Sequence, residues 1–323
     1  MPVYNGEQYL QEAVNSILGQ TFHDFELIVI NDGSTDKTAE ILNSYADDRL
    51  HIINQPANLK ICKSLNAGIG LACGEYIARM DADDISLPER FARQVAYLDN
   101  HPRIGVLGGW ARKITEEGRI LGEMKNHTRP DCVRWALCFG CPLAHPSVMM
   151  RANIVKAAGG YSDAFLFAED YDLWRRLSSR TEIVNLAEFV LLHRQHSENV
   201  SKKHKAQQLA ASRATRELVL AEYIGEEKAR TFVELSLVKM PEEASAVLET
   251  QLLFELYNSF KTKHPMSFLS DRIVRYSIGA EIYRRFYPLA ASPLRTKRLI
   301  QSILFAPGLI KPSSRRMAFP SYA

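Results

Sequence analysis

The sequence predicts an α/β chain: a mostly parallel sheet flanked by helices, with a helical appendage toward its C-terminus. Three observations lead there. Short apolar runs recur through the first 110 residues, helical patterns separate them, and turn residues follow the runs. Strands and helices alternating in that way build βαβ units. Met1-Pro2-Val3-Tyr4 reads as the end of a first strand. A βαβ unit needs the body of that strand, so the natural start is expected a few residues upstream. Residues 25–30 (FELIVI) form a buried strand, broken at Asn31-Asp32-Gly33. Ser34, Thr35 and Asp36 offer N-caps to a helix running through Ala39, Ile41, Leu42 and Tyr45. A strand at 50–53, a helix through Leu65 and Ile69, and a strand at 76–80 follow. A helix over about 88–98 leads to a strand at 104–107.

From residue 201 the texture changes. Residues 202–257 are rich in good helix formers, and Pro288, Pro293, Pro307 and Pro312 punctuate a basic end. The division expected is a chemical domain at 1–200 and a helical, basic region at 201–323. No internal repeat is present.

Of the 323 residues, 46% are hydrophobic and 24% charged, the balance of an ordinary globular protein. Whole-chain disorder, a collagen-like repeat and a coiled coil are excluded. The net charge is +3, but 270–323 alone carries ten Lys and Arg against two Asp and Glu, which leaves the preceding residues at −5. That asymmetry describes a basic tail on a mildly acidic body. Five scattered cysteines do not make a secreted disulfide framework. Cys138-x-x-Cys141 resembles half a zinc site, but no second pair at ligand spacing follows it. There is no signal-peptide pattern, and the apolar run at 299–310 is shorter than the roughly 20 residues that span a bilayer. A cytoplasmic protein is expected.

Four places carry residues suited to chemistry. Asp81-Ala82-Asp83-Asp84 stands where the strand 76–80 ends, and ligands of open α/β sheets bind beyond carboxyl ends of strands. Asp81 and Asp83, two apart, share one face of an extended backbone and are the hard oxygen donors that Mg²⁺ or Mn²⁺ prefers. A solvated acidic turn that caps the next helix is the plainer alternative. Asp32 ends the strand before it. With Asp36 available as the cap, Asp32 has no evident structural task and can accept hydrogen bonds from a base or ribose. Glu169 and Asp170 open a helix whose apolar face is Leu173, Trp174 and Leu177. The helix dipole alone favours acids there, yet an acid held at a packed helix start is also placed to act as a general base. Finally, His193 and His196 follow the strand 189–192; continued as a strand they point to opposite faces, and only a turn brings both to one site.

Taken in order, six motifs resemble the family 2 glycosyltransferases. They are Met1-Pro2-Val3-Tyr4-Asn5-Gly6, Asn31-Asp32-Gly33-Ser34-Thr35-Asp36, Asp81-Ala82-Asp83-Asp84, His145-Pro146-Ser147-Val148-Met149, Glu169-Asp170-Tyr171-Asp172-Leu173 and the stretch 193–201. The resemblance covers residues 1–201. It implies the GT-A fold, a Rossmann-like sheet, and inverting transfer of a sugar from a nucleotide-sugar, usually a UDP-sugar. It also implies site residues. Pro2, Val3 and Tyr4 would line the nucleoside pocket and Asp32 would contact uracil. Asp81 would lie toward the ribose, Asp83 would bind Mn²⁺ or Mg²⁺, and His196 would approach the metal or pyrophosphate. Asp170 would be the base, with Glu169 near the acceptor. An arginine that many relatives carry within 58–66 is replaced here by Leu65, leaving Lys63 as a phosphate-side cation that is not equivalent to arginine. The long membrane helices of processive synthases are absent from this sequence, which implies single additions. Expected partners are a nucleotide-sugar donor and a glycan or lipid-linked acceptor, with the basic tail seated on an anionic membrane face or packed as a bundle. Nucleic acid is not expected. Two other readings are a metal-dependent nucleotidyltransferase, which would normally show a glycine-rich phosphate loop, and a non-catalytic scaffold, which would have shed its acids.

Overall fold

The computed structural model describes residues 1–238 and 242–286. The elements, in order, are β1 (Pro2–Val3), α1 (Leu10–Leu18), β2 (Leu27–Asn31), α2 (Thr38–Asn43), β3 (Leu50–Asn54), α3 (Ile61–Leu71), β4 (Tyr76–Ala78), β5 (Ile85–Ser86), α4 (Arg90–Asn100), β6 (Ile104–Ile114), β7 (Ile120–Met124), α5 (Pro130–Leu137), β8 (Met149–Arg151), α6 (Ala152–Ala157), α7 (Glu169–Ser178), β9 (Glu182–Arg194), α8 (Val200–Lys203), α9 (Lys205–Ile224), α10 (Glu226–Ser236), α11 (Glu243–Lys263) and α12 (Phe268–Phe286). They form two compact units: residues 1–133 with 141–211, and residues 134–140 with those from 212 onward.

In the first unit, β1, β2 and β3 are parallel, with Pro2 opposite Ile30 and Leu27 opposite Leu50. A second sheet runs β4-β8-β6-β9-β5, with β7 hung on β6 as a hairpin. Its β6–β9 pair is parallel, but β4–β8, β6–β8, β5–β9 and β6–β7 are antiparallel. The sheet is therefore more mixed than the run of early βαβ units suggests: β5 and β8 are two- and three-residue strands that run antiparallel to their partners. Val3, Leu10, Val14, Leu27, Val29, Leu42, Leu98, Leu107 and Val190 belong to one buried core. A cavity of about 400 Å³ lies between β2 and β4, bordered by Met1, Leu27, Ile28, Tyr76, Ile77 and Arg79.

The second unit is helical where described. Val219, Leu220, Phe232, Val233, Leu252, Leu256 and Phe260 are buried in it. Trp135 sets its ring edge-on to Phe260 at 5.2 Å and donates its indole N–H to Ser277 at 3.0 Å. No helix among the described residues is long and apolar enough to cross a membrane. Most of the basic tail, with Pro288, Pro293, Pro307, Pro312 and the run at 299–310, lies outside the described residues.

Candidate active site

All the candidate residues belong to the first unit, and three chain segments build the site. The first is the pair of turns that follow β1 and β2. Ser34 Oγ accepts the Asn5 amide at 2.9 Å, and Asn5 Oδ1 accepts the Thr35 amide at 2.9 Å. Asp36 accepts both the Glu7 amide and the Thr38 amide at 3.0 Å. The N-cap of α2 is Lys37 rather than Ser34, Thr35 or Asp36; Asp36, one residue earlier, accepts the first helical amide, while Ser34 and Thr35 lock the two turns together. Asp32 is 4% exposed, and its two oxygens accept the amides of Leu59 and Lys60 at 2.8 and 3.0 Å. It therefore has a structural task that its neighbours in sequence do not reveal. Val3 is buried, Tyr4 is half exposed, and Lys63 is exposed on α3.

The second segment is Asp81-Ala82-Asp83-Asp84, held against the turn that ends β9. Asp81, Asp83 and Asp84 each bring a carboxylate oxygen within 4.8 Å of the others. Asp84 is fully buried, accepts the Arg194 amide at 2.8 Å and binds His193 Nδ1 at 3.1 Å. Burial works against the His193 imidazolium, yet Asp84's charge and hydrogen bond raise its pKa above the ordinary value. Past Arg194 the chain turns, so His196 Nε2 reaches Asp83 Oδ2 at 2.8 Å and Asn199 approaches the same oxygen at 3.3 Å. The turn brings both histidines to one acidic cluster, each on its own aspartate. Hard carboxylate oxygens at this spacing fit a divalent cation such as Mg²⁺ or Mn²⁺. Asp84 is engaged by the β9 turn, while Asp81 and Asp83 are part-exposed and paired with Arg79 and His196.

The third segment is the start of α7. Phe167 there has φ +74°, a left-handed conformation costly for a residue with a Cβ, and it turns the chain into Glu169 and Asp170. Asp170 Oδ1 accepts the Tyr171 amide at 2.7 Å, and the Cys141 thiol donates to Oδ2 at 3.3 Å. Glu169 Oε2 is buried without a hydrogen-bond partner. Burial raises both carboxyls above the ordinary range, and for Glu169 the neighbouring Asp170 charge adds to it. Asp172, one turn in, behaves differently: it is fully buried and paired with Arg175 and Arg176 at 2.9 and 2.8 Å. The three acids of this turn thus divide into one clamp and two carboxyls that are hard to ionise together.

Sequence reading missed several partners. Arg194 links Glu12, the Asp83 carbonyl and the Glu116 carbonyl, 182 residues separating its ends of one ion pair. Asn199 and Cys141 contact the acids from separate loops. Arg79, buried, pairs with Asp81. Only the placing of Arg194 between two histidines was a visible signal. The 400 Å³ cavity is lined by Arg79 and Tyr161 but not by Asp81, Asp83, Asp84, Glu169 or Asp170, so the chemistry is assigned to the carboxylates rather than to this cavity.

A family model described as glycosyl transferase family 2 matches residues 1–143. An uncharacterized glycosyltransferase of Haemophilus influenzae is 32% identical over 271 residues, 79% of this chain and 84% of its own length. The O-antigen biosynthesis glycosyltransferase WbnJ of Escherichia coli is 33% identical over 227 residues, 68% of this chain and 87% of its own. The crystal structure of residues 1–349 of TarS from S. aureus superposes with a TM-score of 0.52 at 18% identity, covering 94% of this chain and 87% of that one, a likeness of fold. The chain belongs to the family 2 glycosyltransferases and has their GT-A fold.

Proposed function

We propose that this glycosyltransferase moves one sugar at a time, with inversion, from a nucleotide-sugar of the UDP class to a hydroxyl of a glycan or lipid-linked glycan. The observation that carries this reading is the meeting, in one unit, of the Asp81–Asp83–Asp84 cluster with the Glu169–Asp170 pair. Relatives named for O-antigen biosynthesis in Escherichia coli and for amylovoran biosynthesis in Erwinia amylovora favour a cell-surface polysaccharide as the product's destination. Pro2, Val3, Tyr4 and Asp32 are assigned to the nucleoside, and Lys63 to the phosphate side. Asp81 and Asp83, with His196 on Asp83, would hold Mg²⁺ or Mn²⁺, which when bound neutralises charge on the departing diphosphate.

Asp170 takes the proton of the acceptor hydroxyl as that oxygen forms its bond to the anomeric carbon, opposite the nucleotide. The bond from that carbon to the diphosphate oxygen breaks, and the nucleoside diphosphate leaves with the electron pair. No enzyme nucleophile is required. Glu169, beside Asp170, is placed at the acceptor. Catalysis is assigned to residues 1–200, and the basic stretch at 270–323 to contact with an anionic membrane face on the cytoplasmic side. Substitution tests the base: Asp170→Asn should leave donor binding near that of the parent while transfer falls by about 10²-fold or more. Full transfer by that variant removes Asp170 from the role.

A further inference from the structure

The loop carrying His145, Pro146 and Ser147 contributes no group to the proposed transfer, yet it is fixed from several sides. Residues 141–147 lie in the connection between α5 and β8. Asn185, buried on β9, donates to the Pro142 carbonyl at 3.2 Å. Ser147, also buried, accepts the Gly109 amide at 3.1 Å and donates to the Ala144 carbonyl at 2.7 Å. His145 Nε2 meets the Tyr161 hydroxyl at 2.7 Å. Two strands and a separate loop thus hold these seven residues in one place, the support that a precise site needs.

The loop touches α7 at two points. Cys141 Sγ lies 3.3 Å from Asp170 Oδ2, and the His145 ring stands edge-on to Trp174 at 6.0 Å. Asp170 and Trp174 are four residues apart, so both contacts fall on one face of the helix. The thiol has one proton and two acceptors in reach, Asp170 Oδ2 and, at 3.6 Å, the Leu143 carbonyl. The carboxylate is the stronger acceptor. Burial and the Asp170 charge push the Cys141 thiol well above its ordinary pKa, so the proton is there to donate. On its other oxygen Asp170 takes the Tyr171 amide at 2.7 Å. One donor on each oxygen fixes the carboxylate's orientation, and each oxygen keeps a second lone pair to receive a proton.

We propose that Cys141 is a positioning residue: presented by the 141–147 loop, its thiol holds the Asp170 carboxylate in the orientation that receives the acceptor's proton. The proposal rests on the assignment of Asp170 as the base. A thiol is a weak donor, so losing it costs little stability. The loss shows instead in rate, because a misaligned base slows transfer without weakening the donor site.

Two measurements test this without the natural acceptor. The first is the infrared S–H stretching band of Cys141, isolated as the difference between the parent and Cys141→Ala. A carboxylate acceptor lowers that frequency, so Asp170→Asn should move the band up; an unmoved band overturns the proposal. The second is UDP release from UDP-glucose, UDP-galactose and UDP-N-acetylglucosamine in Mn²⁺, with water as the acceptor. Water's oxygen bonds to the anomeric carbon, its proton passes to Asp170, and UDP leaves with the electron pair. In Cys141→Ala, kcat should fall by about tenfold or more, with donor KM within about twofold and Tm within about 4 °C of the parent. Cys141→Ser, which restores a donor, should regain most of that loss. A parental kcat in Cys141→Ala, or equal losses in Cys141→Ala and Cys141→Ser, overturns the proposal by assigning Cys141 to packing. If Cys141→Ala does not fold, Cys141→Val, of similar volume and without a donor, takes its place. Should the parent release no UDP from these three donors, the band shift decides. Asp170→Asn separates the outcomes: unchanged UDP release there removes the base and the proposal with it. An inactive Asp170→Asn beside a fully active Cys141→Ala removes Cys141 alone.

Discussion

Asp172→Ala should unfold the first unit more readily than any change to the two acids before it. The Asp172 carboxylate is 1% exposed and receives Arg175 Nη2 at 2.9 Å and Arg176 Nε at 2.8 Å. Arg176 carries the effect onward, donating to the carbonyls of Ala158 and Gly160 at 2.8 and 2.7 Å. Hydrogen bonds to charged groups contribute about 1.5–3 kcal/mol each, and breaking one partner of a buried pair costs about 3–5 kcal/mol. The two arginines keep some contact with water, which places the expectation near the lower end, about 3–4 kcal/mol. Urea unfolding at pH 7 should show the midpoint falling by roughly 1–2 M at unchanged slope. Asp170→Asn provides the contrast. It removes one charge from a crowded buried pair, and its amide oxygen can still accept from the Tyr171 amide while only the weak thiol hydrogen bond from Cys141 is lost, so a loss below about 1 kcal/mol is expected. If all three acids merely complemented the helix dipole, each change would cost about 0.3–1 kcal/mol. A loss below about 1 kcal/mol for Asp172→Ala, or equal losses for both variants, refutes the division of this turn into clamp and chemistry.

Three further outcomes are expected. Glu169→Gln should raise the melting temperature at pH 8 and change it little at pH 4, because the raised carboxyl costs stability as pH climbs from its ordinary 4.5 toward neutrality; a drop at pH 8 contradicts this. Gly33→Ala should cost about 2 kcal/mol or more by thermal unfolding, since φ is +73° and an added Cβ would lie 2.6 Å from the Ala57 carbonyl carbon. Asp83→Ala should weaken UDP binding measured by calorimetry in Mn²⁺ by about tenfold or more while leaving the metal-free affinity unchanged; equal affinities in Mn²⁺ would remove Asp83 as the ligand.

Much of the first unit was legible because its signals are local. The run 25–30 and the turn after it became β2 and its loop, and the strand at 50–53 became β3 one residue longer. The longer strands were not legible. Residues 104–107 announced only the start of β6, which runs on to Ile114 through Gly108 and Gly109. Glycines in a run read as a break, yet here their missing side chains make room for Asn185 and Val190 of β9, whose atoms would lie 2.2 and 2.4 Å from an added Cβ. In the site, residue types at strand ends and helix starts were enough to find the acids. Their partners were not, because Arg194 with Glu12, Asn199 with Asp83 and Cys141 with Asp170 are joined by folding rather than by spacing. Asp32 shows the same limit from the other side: its task of holding the amides of Leu59 and Lys60 is invisible 27 residues away.

The most direct test of metal-assisted sugar transfer is the melting temperature against UDP-, GDP- and dTDP-sugars, each with Mn²⁺ and with EDTA. A ligand at about 100 times its dissociation constant adds about 2.7 kcal/mol, a readily measured shift. Expected is a rise with one nucleotide class, seen with Mn²⁺, lost in EDTA and lost in Asp83→Ala. The same rise in EDTA, or no rise with any donor, contradicts the assignment of this acidic cluster to a nucleotide-sugar and its metal.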